Sequence, residues 1–135
     1  MSTRSSIAIK NENGTVNAVY CHFDGYPSGV GAMLLKHYNT EKKARNLINL
    51  GSLSFIEKKA SPPKGKHHSF DHPLKDVTVA YHRDRGDEYD VDNYASEEHW
   101  LSATKDSLME YFYIFKNGKW YVDGNELTEE MCKKD

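Results

Sequence analysis

The chain has 135 residues, 38% of them hydrophobic and 28% charged, with nine Tyr, five Phe and two Trp. That length fits one domain able to bury roughly two-thirds of its unfolded surface, and the aromatic content argues against disorder. A net charge of −2, no apolar run near the roughly 18 residues of a membrane helix, and no apolar signal segment after Met1 speak against a nucleic-acid binder, a membrane protein and a secreted one; the expected location is the cytoplasm.

Residues 7–23 read as a hairpin. Ile7 and Ile9, then Val16, Ala18 and Tyr20, alternate with polar positions, and Asn13-Gly14 between them suits a tight turn. Asp24-Gly25-Tyr26-Pro27 punctuates the chain. A helix follows from Ser28 or Gly29 to about Asn39, with Val30, Met33, Leu34, His37 and Tyr38 on one face. Thr40 caps a second helix, Glu41 to Leu50, which buries Ala44, Leu47 and Ile48 and ends at Gly51. Leu53 to Glu57 is a short strand or turn. Residues 58–75 then read as an exposed, mobile polar loop, rich in Lys, His, Pro and Gly.

Strand character returns at residues 76–83, where Val77, Val79 and Tyr81 alternate with polar or small residues. A charged turn and an acidic run, Asp84 to Asp92, come next. Ser96 caps a short helix to about Lys105 that turns Trp100, Leu101 and Thr104 to one face. Met109 to Val122 is a second hairpin about Asn117-Gly118, whose two-residue turn pairs Phe115 with Trp120 and Tyr113 with Val122. Thr128 caps a last helical turn through Cys132. Cys21 and Cys132 are too few for a disulfide framework and are expected as free thiols. Together these elements predict one α+β domain over residues 1–135. Its sheet is mainly antiparallel, four or five strands built from hairpins, with two or three helices on one face and no strand–helix–strand unit of the doubly wound type.

Chemistry concentrates at residues 20–31. Gly29-Val30-Gly31 at a helix start could receive an anion on backbone N–H groups, or merely allow close packing; it matches neither a dinucleotide fingerprint nor a P-loop. His22 and Asp24, two apart on a strand, share a side, whereas Cys21 points away, so a Cys–His nucleophile pair is disfavoured. The structural alternative has Asp24 capping the turn or helix and His22 as a partly buried hydrogen-bonding residue. His67, His68 and His72, with Asp71 and His82, offer zinc ligands, but a solvated loop is the default and no metal is assigned. Arg83 and Arg85 form a fork for phosphate or carboxylate; the competing reading is salt bridges to Asp84, Asp87 or Glu88. The expected ligand-binding set is His22, Asp24, Tyr26, Gly29, Gly31, Arg83 and Arg85, with no catalytic residue and no cofactor.

The stretch Tyr20-Cys21-His22-Phe23-Asp24-Gly25-Tyr26-Pro27, followed by Gly31 and Leu34-Leu35, resembles a group of small proteins encoded by tailed phages and prophages. These carry Tyr-Cys-His, then Trp or Phe, then Asp-Gly-Tyr, before a helix and a break like Asn39-Thr40-Glu41. Residues 79–86, Val-Ala-Tyr-His-Arg-Asp-Arg-Gly, look like a second shared block. The resemblance spans residues 3–57 and 76–90. It implies an accessory viral protein in the host cytoplasm: a non-catalytic counter-defence factor that inhibits a host immune protein or sequesters a nucleotide-like immune signal. The alternatives are a small hydrolase or transferase using His22 and Asp24 and, disfavoured by charge, a nucleic-acid-binding module. No membrane partner is expected, and self-association is left open.

Overall fold

The computed structural model describes residues 2–105 and 107–133. Strands β1 (Ser5–Lys10) and β2 (Val16–Cys21) form the expected hairpin, paired from Ser5↔Cys21 to Lys10↔Val16. Its connection is wider than a two-residue turn: Asn11 N–H donates to Thr15 O at 2.8 Å, and Gly14 supplies the positive φ of 88°. A π-helical turn, Pro27–Gly31, leads into α1 (Ala32–His37), and Thr40 caps α2 (Glu41–Ile48) by accepting from Lys43 N–H. Then come β3 (Leu53–Phe55), β4 (Val79–Ala80), α3 (Tyr81–Arg85), β5 (Asp92–Tyr94) and α4 (Glu97–Thr104). The chain closes with β6 (Tyr111–Lys116), β7 (Lys119–Val122) and β8 (Asn125–Glu126).

The class is α+β, but the sheet departs from the expected hairpin stack. Among the described residues it has eight strands and is mixed, in the order β4-β3-β2-β1-β6-β7-β8, with β5 sharing the outer edge of β2. Strand β1 pairs β6 in parallel, and β2 pairs β3 in parallel at Cys21↔Leu53. The second pairing joins β2 to β3 through α1 and α2, a single strand–helix–strand crossover within a mixed sheet. The predicted pairs Phe115↔Trp120 and Tyr113↔Val122 are formed, and positive φ at Asn117 and Gly118 (54° and 75°) matches a hairpin turn of the primed type.

Alternation along the strands divides the interior in two. Ile7, Ile9, Val19, Cys21, Tyr113, Phe115 and Trp120 form the larger core with Val30, Leu34 and Tyr38 of the α1 region and Ala44, Leu47 and Ile48 of α2. Ala8, Val16, Ala18 and Ile114 pack on Trp100 of α4 in the smaller one. Neighbours along β1 point to opposite faces, so α4 lies across the sheet from α1 and α2. Helices therefore cover both faces rather than one. Trp100 keeps its indole satisfied there by donating to Ser6 Oγ at 2.9 Å.

Two further expectations change form. The strand predicted over residues 76–83 stops at Ala80, because the Asp84 carboxylate accepts Ala80 N–H at 2.8 Å and Gly86, with φ of 84°, closes the helical turn between them. Residues 128–132 form hydrogen-bonded turns, Met131 N–H reaching Thr128 Oγ1 at 3.3 Å, without becoming a helix. Among the described residues no helix is long and apolar enough to cross a membrane.

Candidate functional site

The corner between β2 and α1 is built on close backbone approach. Strand β2 continues past Cys21 along β3, with His22 N–H donating to Leu53 O and Phe23 N–H to Ser54 O, both at 3.0 Å. Asp24 then turns the chain at a φ of 59°, a left-handed conformation that Asp adopts more readily than most residues. Its carbonyl accepts Val30 N–H at 2.7 Å, which ties the turn to the π-helical start. A side chain on Gly29 would put Cβ 2.3 Å from Asp24 O, and one on Gly25 would put it 2.7 Å from Thr3 O. Glycine at these two positions is a packing requirement. Gly25 O also accepts the Tyr113 hydroxyl at 2.6 Å, which anchors the corner to β6.

Asp24, Tyr26 and Gly29 come together at the turn. The Tyr26 hydroxyl donates to Asp24 Oδ1 at 2.8 Å, and that bond to a carboxylate raises the phenol above its ordinary value. Gly31 lies inward instead, its Cα side against Leu127, the Tyr113 hydroxyl and Pro27. His22 is engaged with Tyr20. Arg4 Nε donates to the Tyr20 oxygen at 2.9 Å, and that oxygen lies 2.5 Å from His22 Nδ1, so the three side chains form one hydrogen-bonded chain. Burial raises the Tyr20 phenol, against a lowering pull from Arg4. Cys21 is fully buried among the core residues, and burial pushes its thiol up to about 12, which removes it as a nucleophile at neutral pH.

Beside the corner opens a cleft of about 160 Å³ lined by Phe23, Asp24, Ser28, Gly29, Met33, Phe55 and Glu57, among others. Phe23 is 42% exposed and Tyr26 38%, a large apolar surface for two neighbouring aromatic residues. Phe23 also packs edge-on against the His22 ring, with centroids 4.5 Å apart. The sequence showed Phe23 as a strand residue; its exposure comes from the chain turning at Asp24 just after it.

Arg83 and Arg85 do not join this corner through any hydrogen bond or ion pair among the described residues. Arg83 closes on its own neighbourhood: Nε and Nη2 donate to Asp84 at 2.8 and 2.9 Å, Nη1 to Ala60 O at 2.6 Å, and Nη2 to Thr78 O at 2.7 Å. Arg85 forks onto Asp87 at 2.8 and 2.7 Å and lies over the adjacent Phe70 and Tyr81 rings, 4.7 and 4.6 Å from their centroids. These are the intramolecular salt bridges to Asp84 and Asp87 weighed from the sequence.

His68 completes the Arg83 hub. Its side chain is fully buried; Nδ1 accepts Leu74 N–H at 2.9 Å, and Nε2 points at Thr78 O (3.1 Å) and Asp84 Oδ2 (3.3 Å). Phe70 N–H donates to Asp84 O at 2.8 Å. The loop at residues 58–75 is thus fastened at its middle, although most of its side chains face solvent. His68 has no nitrogen left for a metal, and among the described residues no group of three His, Cys, Asp or Glu side chains is placed to hold one. Adjacent Arg83-Asp84 was the one visible sign of this hub; the His68 contact crosses a loop and left no periodic trace.

No family model matches the chain, and neither a curated protein nor a solved structure was found that matches it.

Proposed function

We propose that this chain is a non-catalytic binding protein that docks its partner on the β2–α1 corner. The observation that carries this reading is the exposure of Phe23 and Tyr26, three residues apart at the corner, with Phe23 lining a cleft beside Asp24, whose carboxylate the Tyr26 hydroxyl holds. Aromatic side chains held rigid at a surface give contact area at small entropic cost, as binding hot spots do. The reactive groups offer little to turnover: Cys21 is buried, and His22 Nδ1 is already engaged by the Tyr20 hydroxyl.

The partner is a host immune protein and the role counter-defence. Resemblance of residues 20–27 and 79–86 to small phage proteins supports the role, and the size of the cleft supports the kind of partner. At about 160 Å³ it suits an inserted side chain, whereas pockets for whole drug-sized molecules start at about 300 Å³. Sequestration of a nucleotide-like signal at this corner is the lesser reading for that reason.

Native purification from infected or defence-expressing cells, with mass spectrometry of co-purifying proteins and small molecules, tests the proposal. A stoichiometric host protein that Phe23→Ala releases supports it. Neither protein nor small molecule bound, together with a turnover lost in His22→Ala, overturns it in favour of a hydrolase or transferase.

A further inference from the structure

A second concave site lies away from the corner. The end of α1 (Lys36, His37), the outer face of α2 (Lys43, Asn46) and the segment after β3 (Lys58) enclose a cleft of about 230 Å³. No carboxylate lines it, in a chain whose Asp and Glu outnumber Lys and Arg by 20 to 18. Among the described residues, none of Lys36, His37, Lys43 and Lys58 has a carboxylate oxygen within 4.0 Å. Lys10, Arg83, Arg85, Lys116, Lys119 and Lys133 do, whereas Lys42, Lys59, Lys64, Lys66, Lys75 and Lys105 do not; what sets the four apart is that they line one cleft.

Folding alone does not account for this grouping. Basic residues in the last turn of a helix complement its dipole, which explains Lys36 and His37. Lys43 stands in the first turn of α2, where the dipole favours acids and disfavours cations. Lys58 belongs to no helix. Positive side chains brought together from three segments repel one another, and an anion between them reverses the sign of that interaction. Lysine ammonium groups with a neighbouring amide and imidazole are the donors that phosphate oxygens take.

We infer that the Lys36–His37–Lys43–Asn46–Lys58 cleft binds the phosphate groups of a small molecule. The site does not rest on the corner as a protein-docking surface, and either can fail without the other. Its volume, below the about 300 Å³ at which drug-sized pockets begin, fits one or two phosphate groups rather than a whole nucleotide. A nucleoside attached to them would lie outside the cleft, along the protein surface.

Calorimetric titration of the full chain at low ionic strength, with inorganic phosphate, pyrophosphate and ATP as separate probes, tests the site. Pyrophosphate is expected to bind, and Lys43→Gln and Lys58→Gln are each expected to weaken it about tenfold, as befits loss of one charge-assisted contact. Lys116→Gln, which removes a lysine paired with Glu97 on the other face of the sheet, is expected to leave the affinity unchanged. Backbone amide shifts on pyrophosphate addition should cluster at residues 36–46 and 58–60. ATP binding as tightly as pyrophosphate identifies the phosphates alone as the recognised group; tighter binding adds the nucleoside to it. No binding of pyrophosphate or ATP at millimolar concentration overturns the inference. So does an equal loss in all three lysine variants, which would mark diffuse charge attraction.

Discussion

Asp84 gives the sharpest handle on how the fold is held. It is 8% exposed, and its two oxygens accept from Arg83 at 2.8 and 2.9 Å and from Ala80 N–H at 2.8 Å, with His68 Nε2 at 3.3 Å. Asp84→Asn keeps the shape but removes the charge and turns one acceptor into a donor facing donors. Removing one member of a buried ion pair costs about 3–5 kcal/mol. The Arg83 side chain is 25% exposed and keeps Ala60 O and Thr78 O, which moves the expected cost below that range, to about 2–3 kcal/mol. For a chain of this size that is a fall in Tm of about 10 °C. Hydrogen exchange should rise first in residues 59–78, which the hub fastens. Acidity supplies a second axis. Burial alone would raise the Asp84 carboxyl, but the Arg83 hydrogen bonds, Ala80 N–H and the Arg83 charge bring it below its reference value of 3.8. A lowered folded value means that the carboxylate's contribution is complete above the unfolded value and disappears as pH falls through the folded one. The gap between wild-type and Asp84→Asn should therefore be full at neutral pH and narrow below about pH 4. Thermal melts and urea unfolding between neutral and acidic pH measure both. A Tm change under about 2 °C at neutral pH, or a gap that widens in acid, would refute the hub.

Gly29→Ala forces Cβ to within 2.3 Å of Asp24 O, a backbone atom that cannot swing aside, and should cost about 3 kcal/mol in urea unfolding. Gly31→Ala meets only Leu127 Cδ1 at 3.3 Å and the Tyr113 hydroxyl at 3.4 Å, so its cost should be smaller; the reverse order would contradict the reading of the corner. In the native protein a thiol-reactive disulfide reagent at pH 8 should label half-buried Cys132 and spare Cys21, whose thiol is held up to about 12 by burial. Both should react in denaturant, and rapid native labelling of Cys21 would show that strand β2 opens at its end.

Local chemistry made part of this fold readable. Asn117-Gly118 announced a two-residue hairpin and the Phe115↔Trp120 pair, and Thr40 and Ser96 announced helix starts where their side chains accept Lys43 and His99 N–H. Non-local pairing left no such mark. Nothing in Ser5–Ile9 indicates that it lies parallel to Tyr111–Phe115, about a hundred residues on, because parallel strands need no connecting turn. The alternation of Val77, Val79 and Tyr81 suggested a longer strand than exists, since the Asp84 carboxylate captures Ala80 N–H and turns the chain. The candidate site was legible in the same uneven way. Asp24, Tyr26 and Gly29 meet because they are close in sequence. The fork expected of Arg83 and Arg85 closed on Asp84 and Asp87, also close in sequence, and the contacts with Ala60 and with Phe70 were invisible beforehand.

The corner as a docking surface is tested most directly by the affinity of the co-purified host protein for wild-type chain and for Phe23→Ala and Tyr26→Ala, each checked for an unchanged melt. Truncating a binding hot spot costs about 2 kcal/mol or more, so each variant should raise Kd about thirtyfold, while His22→Ala has a smaller effect. Affinities equal to wild-type in both aromatic variants would contradict the account.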